Sequence, residues 1–249
     1  MDRQGAFSYR CNQCGRCCHD QAITLSPVDV IAIARVCGIS TGAAVARYTL
    51  RRGSLLRFLP DGRCAALDGI HCSIHRGRPL ACRLYPLGLE RGGGRERFVR
   101  LEAAAGSTGV YGENGTIGEF LAAQNIGHHL ALNERYRPLI RLMSDRVARL
   151  TDFAAVEPRE FWRRAIAEAL RETNFDANPI IDALFDPDRF GCTRESIDAT
   201  VEAHLPALTH LTRCANDATV IAVAAVLLAV SLGYSPSAAI SARELMEFD

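Results

Sequence analysis

The sequence predicts a mostly α-helical protein, in which a metal-stapled, cysteine-rich N-terminal module with a small β-hairpin precedes an α-helical bundle. Seven of the ten cysteines fall in spaced motifs within the first third of the chain, and apolar residues recur at helical spacing from Glu119 onward. Hydrophobic residues make up 48% of the chain, enough to bury a sizeable core. We therefore expect a metal-binding module over residues 1–106 and an α-helical domain over residues 107–249.

The first helix of the module is predicted by its start signals. Ser26 can cap a helix, and Pro27 suits the first helical position because the backbone N–H there has no helical partner. Asp29 favours the positive end of the helix dipole. The apolar run that follows stops near Gly38, and a second helix is expected from about Thr41 to Arg52.

Two short extended runs, Leu84–Glu90 and Glu96–Glu102, lie on either side of three consecutive glycines. This pattern predicts a β-hairpin with a flexible tip. Residues 104–118 are rich in glycine and are expected to form a linker or a surface loop. A competing hypothesis makes residues 106–118 one wall of a cleft that faces the metal module, since clefts form readily between packed units and this segment carries several polar side chains.

The second half shows helical spacing, with the clearest stripe between Leu139 and Leu150. These apolar stripes are interpreted as core. Further helices are expected over residues 157–170, after Asn178, near Arg194–Leu205, over residues 218–232 and over residues 236–246.

Composition excludes several classes of function. The formal net charge is +1, which argues against a general polyanion binder, so no nucleic acid partner is expected. All 29 basic residues are arginine, which excludes Schiff-base lysines and a P-loop lysine. The first residues lack the apolar core of a secretory signal, and the apolar run 220–232 is shorter than the about 20 residues that span a membrane. We therefore expect a cytoplasmic protein without a membrane partner, with a membrane helix at 218–242 as the alternative to a buried one.

The candidate metal ligands are seven cysteines in two groups. Four of them lie within eight residues, and their x2 spacing lets a short loop wrap back so that successive sulfurs face one ion or cluster. The other three supply remote ligands that close a site. Thiols stay reduced in the cytoplasm, so this crowding indicates metal binding before disulfides. The seven are Cys11, Cys14, Cys17, Cys18, Cys64, Cys72 and Cys82, whereas Cys37, Cys192 and Cys214 lie outside this spacing.

The spacing favours a [4Fe–4S] iron–sulfur cluster, with zinc as the alternative. Structural zinc usually takes two pairs of ligands, whereas three thiolates at x2 spacing with a remote fourth resemble the ferredoxin arrangement. Seven thiols do not divide into sites of four, so some are spare, a histidine fills a place, or one position stays open for a ligand. His19, His71 and His75 flank the motifs, and for each alone a role other than ligand is favoured.

Three residues beside the last motif, Arg78, Arg83 and Tyr85, are expected to contact the cofactor. A site of thiolates is negatively charged, so guanidinium groups nearby would offset its charge and donate hydrogen bonds to sulfur. Tyr85 could reach the region of the 106–118 segment. Pro79 favours a helix start that sets Cys82 in the first turn, where the helix dipole favours its thiolate.

With their flanking residues, these motifs resemble the YkgJ family of cysteine-cluster proteins. The matching residues are Cys11-x2-Cys14-x2-Cys17-Cys18, Ile23-Thr24-Leu25-Ser26-Pro27-x-Asp29, Tyr48 and Cys72-Ser-Ile-His75-x2-Arg78-Pro79-x2-Cys82-Arg83-x-Tyr85-Pro86. The resemblance covers roughly Tyr9 to Gly106 and implies a domain that chelates zinc or iron, related to the module in flagellin lysine N-methylases, where iron–sulfur is favoured. Family members often carry a further cysteine after the hairpin, where this sequence has Ala104-Ala105-Gly106, so any scheme that needs eight thiols is in doubt.

The sequence leaves three functions open. The first is an iron–sulfur enzyme, either methyltransferase-like and acting on a protein side chain or an oxidoreductase, although no Rossmann-type G-x-G and no C-x3-C-x2-C motif is present. The second is a zinc-binding structural module that binds a protein partner without catalysis. The third is electron transfer or redox sensing, which the adjacent Cys17 and Cys18 suit. No catalytic residue is assigned from the sequence.

Overall fold

The structure is a computed structural model that describes residues 1–92, 95–150, 178–217, 219, 220 and 223. About half of the described residues are helical, and the strands form small antiparallel pairs. The helices expected over residues 157–170 and 236–246, most of the one expected over 218–232, and the hairpin tip lie outside the described residues.

The first helix, α1 (Pro27–Cys37), begins and ends where the sequence predicts. The Ser26 hydroxyl accepts a hydrogen bond from the Asp29 N–H, and the Asp29 carboxylate accepts one from the Ser26 N–H, which closes a capping box. Gly38 ends the helix in the left-handed conformation, with φ 64°. Every residue from Pro27 to Ala34 is buried, so α1 is enclosed on all sides.

The second helix, α2 (Thr41–Tyr48), is shorter than the expected helix Thr41–Arg52. Strand β2 (Thr49–Leu50) follows it and pairs with β3 (Leu55–Leu56). In the turn between these strands Arg52 has φ 58° and Gly53 has φ 112°. A left-handed backbone cannot continue an α-helix, so the chain turns into a small ribbon at this point.

The predicted hairpin is confirmed, with shifted bounds. Strand β6 (Leu87–Gly92) pairs with β7 (Arg95–Arg100) in a continuous antiparallel register from Leu87↔Arg100 to Gly92↔Arg95. Leu84, expected in the first strand, is the last residue of the short helix α3 (Leu80–Leu84). A smaller hairpin, formed by β4 (Leu67–Asp68) and β5 (His71–Cys72), precedes α3 in the chain.

Part of the expected loop 104–118 is a strand. Strand β8 (Val110–Thr116) pairs antiparallel with β1 (Ala6–Arg10), with Tyr9 opposite Tyr111 and Arg10 opposite Val110. Its sequence, VYGENGT, lacks the apolar alternation of a half-buried strand, and no residue of the strand is buried. The pairing ties the start of the second half of the chain to the residues immediately before Cys11.

The described part of the second half is helical, as expected. Asn178 caps a helix that begins at Pro179. The helix expected near Arg194–Leu205 continues to Cys214, and Pro206 lies inside it without ending it. Within the described part no single helix is long and apolar enough to cross a membrane, although α1 and α2, bent by 99° at their junction, pass that test as a pair. The helices are α4 (Ile117–Ala123), α5 (Ile126–Glu134), α6 (Arg137–Leu150), α7 (Pro179–Phe185) and α8 (Ile197–Cys214).

Two apolar clusters form the core, and each contains residues from both sides of the predicted boundary at residue 106. The larger one surrounds α1, where Ile31 and Ile33 share a cluster with Phe185 and Val201 from α7 and α8. The smaller one lies beneath β1, the β6–β7 hairpin and α4. The cysteine-rich half therefore buries its apolar residues against the helical half.

The turn before β3 fits closely against α7, which makes the packing between the two halves testable. A Cβ on Gly53 would overlap the side chain of Phe185, and its φ of 112° disfavours any side chain. Gly53→Ala should lower the free energy of unfolding by about 2–4 kcal/mol, measured by urea denaturation. Gly127→Ala in α5, where a Cβ meets nothing within 4 Å, should leave stability unchanged or raise it by about 0.5–1 kcal/mol. Equal stability of the two variants would contradict this packing.

Candidate metal centre

The first cysteine motif folds as a loop followed by one 3₁₀ turn, Arg16–Cys18. Strand β1 ends at Arg10 and leaves Cys11 exposed. Gly15 enters the turn with φ 72°, and a Cβ on it would lie 3.3 Å from Cδ1 of Leu67 in β4. Glycine is favoured here both by its backbone conformation and by its close approach to the β4–β5 hairpin.

Main-chain hydrogen bonds bring the second group of cysteines beside the first. The N–H of Cys64 donates to the carbonyl of Cys18 at 2.9 Å, and the N–H of Asp20 donates to the carbonyl of Gly62 at 2.9 Å. Further along, Leu67 pairs with Cys72 across the β4–β5 hairpin. Cys18, Cys64 and Cys72 are thus placed on adjoining segments by the backbone itself.

Cys82 lies in the first turn of α3, as predicted. Part of the residue reaches the surface, but burial of its thiol raises the pKa far above the ordinary value, and the nearby Cys64 and Cys72 raise it further. The helix position therefore does not by itself make Cys82 a thiolate in the absence of a cation. That the helix dipole favours the charged form of Cys82 stays a prediction.

Five thiols, which we call the inner group, lie close enough to affect one another's ionisation. Burial raises the pKa of Cys64 to about 11, and the neighbouring Cys72 and Cys17 add to the increase. The inner group consists of Cys17, Cys18, Cys64, Cys72 and Cys82.

Within the inner group, the adjacent Cys17 and Cys18 shift each other's pKa in opposite directions. The Cys18 thiol donates to the Cys17 sulfur, which lowers the pKa of Cys17 to about 7. The same hydrogen bond, together with burial, raises the pKa of Cys18 far above its ordinary value. In the metal-free protein Cys17 is therefore the inner thiol most readily ionised.

Cys11 and Cys14, which we call the outer pair, lie at the edge of the site. Hydrogen bonds from the backbone of Thr108 and of Arg16 lower the pKa of Cys14 to about 7. The Cys11 sulfur accepts a hydrogen bond from the N–H of Gln13 at 3.4 Å, and after burial its proximity is a smaller cause of the raised pKa of the half-buried Cys72. Cys11 thus connects the surface with the inner group, and Cys14 is held by the 107–108 loop.

The seven predicted ligands share one region without converging on one point. In the parts of the chain that the structure describes, no three His, Cys, Asp or Glu side chains form a group that could hold a metal ion. Metal binding would therefore require the thiol side chains to rearrange. The donor set suits such a metal, because several sulfurs are the ligands that zinc and iron–sulfur clusters take.

Arg78 is placed to offset negative charge on sulfur. Its guanidinium lowers the pKa of Cys17 and acts in the same direction on Cys72. The group is held by the carbonyl of His75, to which Nη1 donates at 2.7 Å, and by the side-chain oxygen of Gln124. This position agrees with the predicted role of Arg78 beside a thiolate site.

The Arg83 side chain binds carbonyl groups of the main chain. Its guanidinium donates to the carbonyls of Arg78, Arg76 and Gln124 at 2.9, 2.7 and 3.2 Å. These contacts draw the segment before α3 toward the end of α4. Its predicted contact with a cofactor stays a prediction.

Tyr85 faces the N-terminal strand and the segment after the hairpin. Its hydroxyl accepts a hydrogen bond from the N–H of Ala104 at 2.9 Å, and its ring meets Tyr9 edge-on with centroids 6.1 Å apart. Burial raises the pKa of Tyr9 to about 12. Asn12 donates to the carbonyl of Thr108 at 2.6 Å, so the 107–108 segment packs on the cysteine module. That polar side chains of this segment face a pocket stays a prediction.

The flanking histidines and the remaining cysteines have partners of their own. His19 Nδ1 lies 3.1 Å from the carbonyl of Gly15, and His75 Nδ1 lies 3.3 Å from Arg78. Cys37 donates to the Tyr48 hydroxyl, and Cys192 donates to main-chain carbonyls. The expectation that none of these residues is a ligand stays a prediction.

Sequence reasoning missed two residues that contact the ligand-bearing segment. His129 and Gln124 come from α5 and the end of α4, and they reach Asp29 and Arg78. The capping-box pattern marked Asp29 as a helix start, but no motif pointed to its partner in α5.

Comparison with known proteins identifies one family. Residues 10–102 match the model of the CxxCxxCC family, described as "Putative zinc- or iron-chelating domain". The match spans all seven predicted ligands and the β6–β7 hairpin, and it confirms the resemblance to cysteine-cluster proteins of the YkgJ type. No curated protein and no solved structure matches the chain.

Thiol reactivity in the metal-free protein should follow these environments. The thiolate is the reacting species, so alkylation of Cys14 by iodoacetamide should reach half its maximal rate near pH 7 and level off above about pH 8. Cys64, with its pKa raised to about 11 by burial, should react at least roughly tenfold more slowly at pH 7.5. Peptide mass spectrometry of timed samples measures both rates, and the difference should vanish in urea. A Cys14 rate that keeps rising to pH 9 would contradict the hydrogen bonds assigned to its sulfur.

Proposed function

We propose that this chain, whose residues 10–102 match the CxxCxxCC model, binds a metal through thiols of the inner group together with those of the outer pair at the mouth of the site. The observation that carries the proposal is the gathering of five thiols on neighbouring segments: main-chain hydrogen bonds join the segments of Cys18, Cys64 and Cys72, and the Asp29 carboxylate holds the segment of Cys82. Cysteines that bind no ligand gain nothing from being clustered. Each of them is an oxidation target, so such a cluster favours a bound metal.

The ionisation of the thiols supports a cation at this place. Burial raises the pKa of Cys64, Cys72 and Cys82, so without a cation these groups remain protonated near neutral pH. A thiophilic metal replaces the protons and stabilises the thiolates, and it also offsets the repulsion between neighbouring sulfurs. The buried thiols are therefore a better metal site than they are an acid–base or nucleophilic one.

We favour a [4Fe–4S] cluster over zinc. Three thiolates at x2 spacing with a remote fourth are typical of cluster ligation, and Cys82 is a remote thiol whose segment is held by the hydrogen bond from the Leu80 N–H to Asp29. The Arg78 guanidinium beside the thiols supplies the positive charge that a cluster with four thiolates attracts. Zinc with four of these thiols is the alternative, and it would make the domain a structural module that binds a protein partner.

A redox function is the second candidate, and the exposure of Cys11 favours it. A cluster ligated at the mouth of the site by an exposed cysteine is open to an electron-transfer partner. A protein substrate, as in a methylase-like reaction, would reach the site from the same face. That face is bordered by the tip of the β4–β5 hairpin, where Ile70 is 61% exposed.

Anaerobic purification followed by metal, sulfide and EPR analysis tests the proposal. A brown protein with about four iron and four sulfide per chain supports the cluster. A colourless protein with bound zinc supports the structural module. A protein that holds neither metal after anaerobic reconstitution would contradict metal binding altogether.

Serine variants test the ligand assignment. Cys17→Ser and Cys82→Ser each remove one thiolate from the inner group, so bound metal per chain should fall by at least about fivefold. Cys37→Ser and Cys192→Ser remove thiols that lie outside the ligand spacing, and they should keep the metal content of the unmodified protein. Full occupancy in Cys17→Ser or in Cys82→Ser would overturn the assignment of that residue.

A further inference from the structure

A buried hydrogen-bonded pair of His129 and Asp29 connects the cysteine module with α5, beyond the residues that match the family. The His129 Nε2 lies 2.8 Å from Oδ1 of Asp29, and their side chains are 7% and 3% exposed. Burial alone would raise the pKa of Asp29, but the hydrogen bond and charge of His129 and the donors of Ser26 hold it below the ordinary value. The carboxylate is therefore ionised, and Nε2 carries the proton that His129 donates.

The same carboxylate holds the helix that carries Cys82. Its Oδ1 also accepts a hydrogen bond from the N–H of Leu80, at 2.8 Å, at the first residue of α3. Its Oδ2 accepts from the N–H and the hydroxyl of Ser26, at 2.7 and 2.8 Å. Asp29 thus ties three segments together, and one of them places Cys82 two residues further on.

A second attachment lies on the other side of this ligand-bearing segment. The Gln124 side-chain oxygen accepts from Arg78, and the Gln124 carbonyl accepts from Arg83 at 3.2 Å. On the opposite side a Cβ on Gly77 would overlap the carbonyl of Ala32 in α1, so the segment has no room to shift toward α1. Residues 77–84 are therefore held between α1 and the junction of α4 and α5.

We propose that His129 and Gln124 are positioning residues of the metal site, acting through Asp29 and Arg78, so that the metal-binding unit extends to α5. The inference rests on the proposed metal-binding function, since it names what positions that same site. His129 keeps the Asp29 carboxylate aimed at Leu80, which sets the distance of Cys82 from the other thiols. Gln124 keeps the Arg78 guanidinium beside Cys17 and Cys72.

Loss of His129 has a direct physical consequence. The buried carboxylate would keep its bonds to Ser26 and Leu80 but lose the Nε2–H donor of His129, and a buried charge with too few donors is strongly unfavourable. The carboxylate would move toward water, and α3 would move with it because Leu80 is bonded to the same oxygen. Loss of residues that orient metal ligands lowers metal affinity by about 10–100-fold.

The test uses the full chain, anaerobic and metal-free, with Co²⁺ alone as the probe. Affinity is measured by competition with a chelator, and the sulfur-to-cobalt charge-transfer absorption reports how many thiolates bind. His129→Ala should weaken Co²⁺ binding by about 10–100-fold and reduce the charge-transfer absorption, because Cys82 no longer reaches the metal. His129→Gln, whose amide N–H can donate to Asp29 in place of Nε2, should restore most of the affinity.

The neighbouring histidine supplies a matched control. His128 lies on the same helix, is exposed, and pairs with Asp198 at 3.0 Å away from the cysteines. His128→Ala makes the same change in helix propensity and should bind Co²⁺ as the unmodified protein does. If His129→Ala does not fold, Gln124→Ala decides the question: weaker binding supports the proposal, and unchanged binding overturns it.

The outcomes separate this inference from the proposed function. If the unmodified chain binds no Co²⁺ through sulfur, the metal-binding function is overturned and this inference with it. If the unmodified chain binds Co²⁺ and His129→Ala binds it equally well, with the same absorption, only the positioning role is overturned. Equal weakening by His128→Ala and His129→Ala would also overturn it, because the effect would then belong to the helix and not to the buried pair.

Discussion

The buried carboxylate of Asp29 is the constraint on which the rest of the arrangement depends. An ionised group inside a protein must be matched by donors, and here they come from the start of α1, the first turn of α3 and the side chain of His129 in α5. Each donor fixes the segment that carries it. A displacement of any one segment would leave the charge unmatched, so the three are held in one geometry.

The cysteine module is also held by contacts away from Asp29. Helix α1 lies in an apolar cluster shared with α7 and α8, and the Cys64–Cys18 hydrogen bond joins the two groups of cysteines. The outer pair lies at the edge of this framework, since Cys11 is exposed and Cys14 is hydrogen-bonded to the 107–108 loop.

Arg78 and Arg83, the two arginines beside the last cysteine motif, make different contacts because they lie at different positions. Arg78 places its charge near Cys17 and Cys72, where it favours thiolates. Arg83 spends its donors on three main-chain carbonyls, and so connects the ligand-bearing segment with the end of α4. Both arginines contact Gln124 at the end of α4. The same residue therefore positions the guanidinium near the sulfurs and the backbone of the ligand-bearing segment.

The sequence by itself determined the features that depend on neighbours in the chain. The cysteine spacing, the capping box at Ser26, the Gly38 helix end and the β6–β7 hairpin are local patterns, and the structure contains each of these helix and hairpin elements. Only the tertiary structure decided that β8 pairs with β1, that Arg78 and Arg83 diverge, and that Asp29 meets His129, which is 100 residues away. Such contacts depend on how packed segments meet in space, and neither the periodicity nor the motif spacing of a single sequence records that.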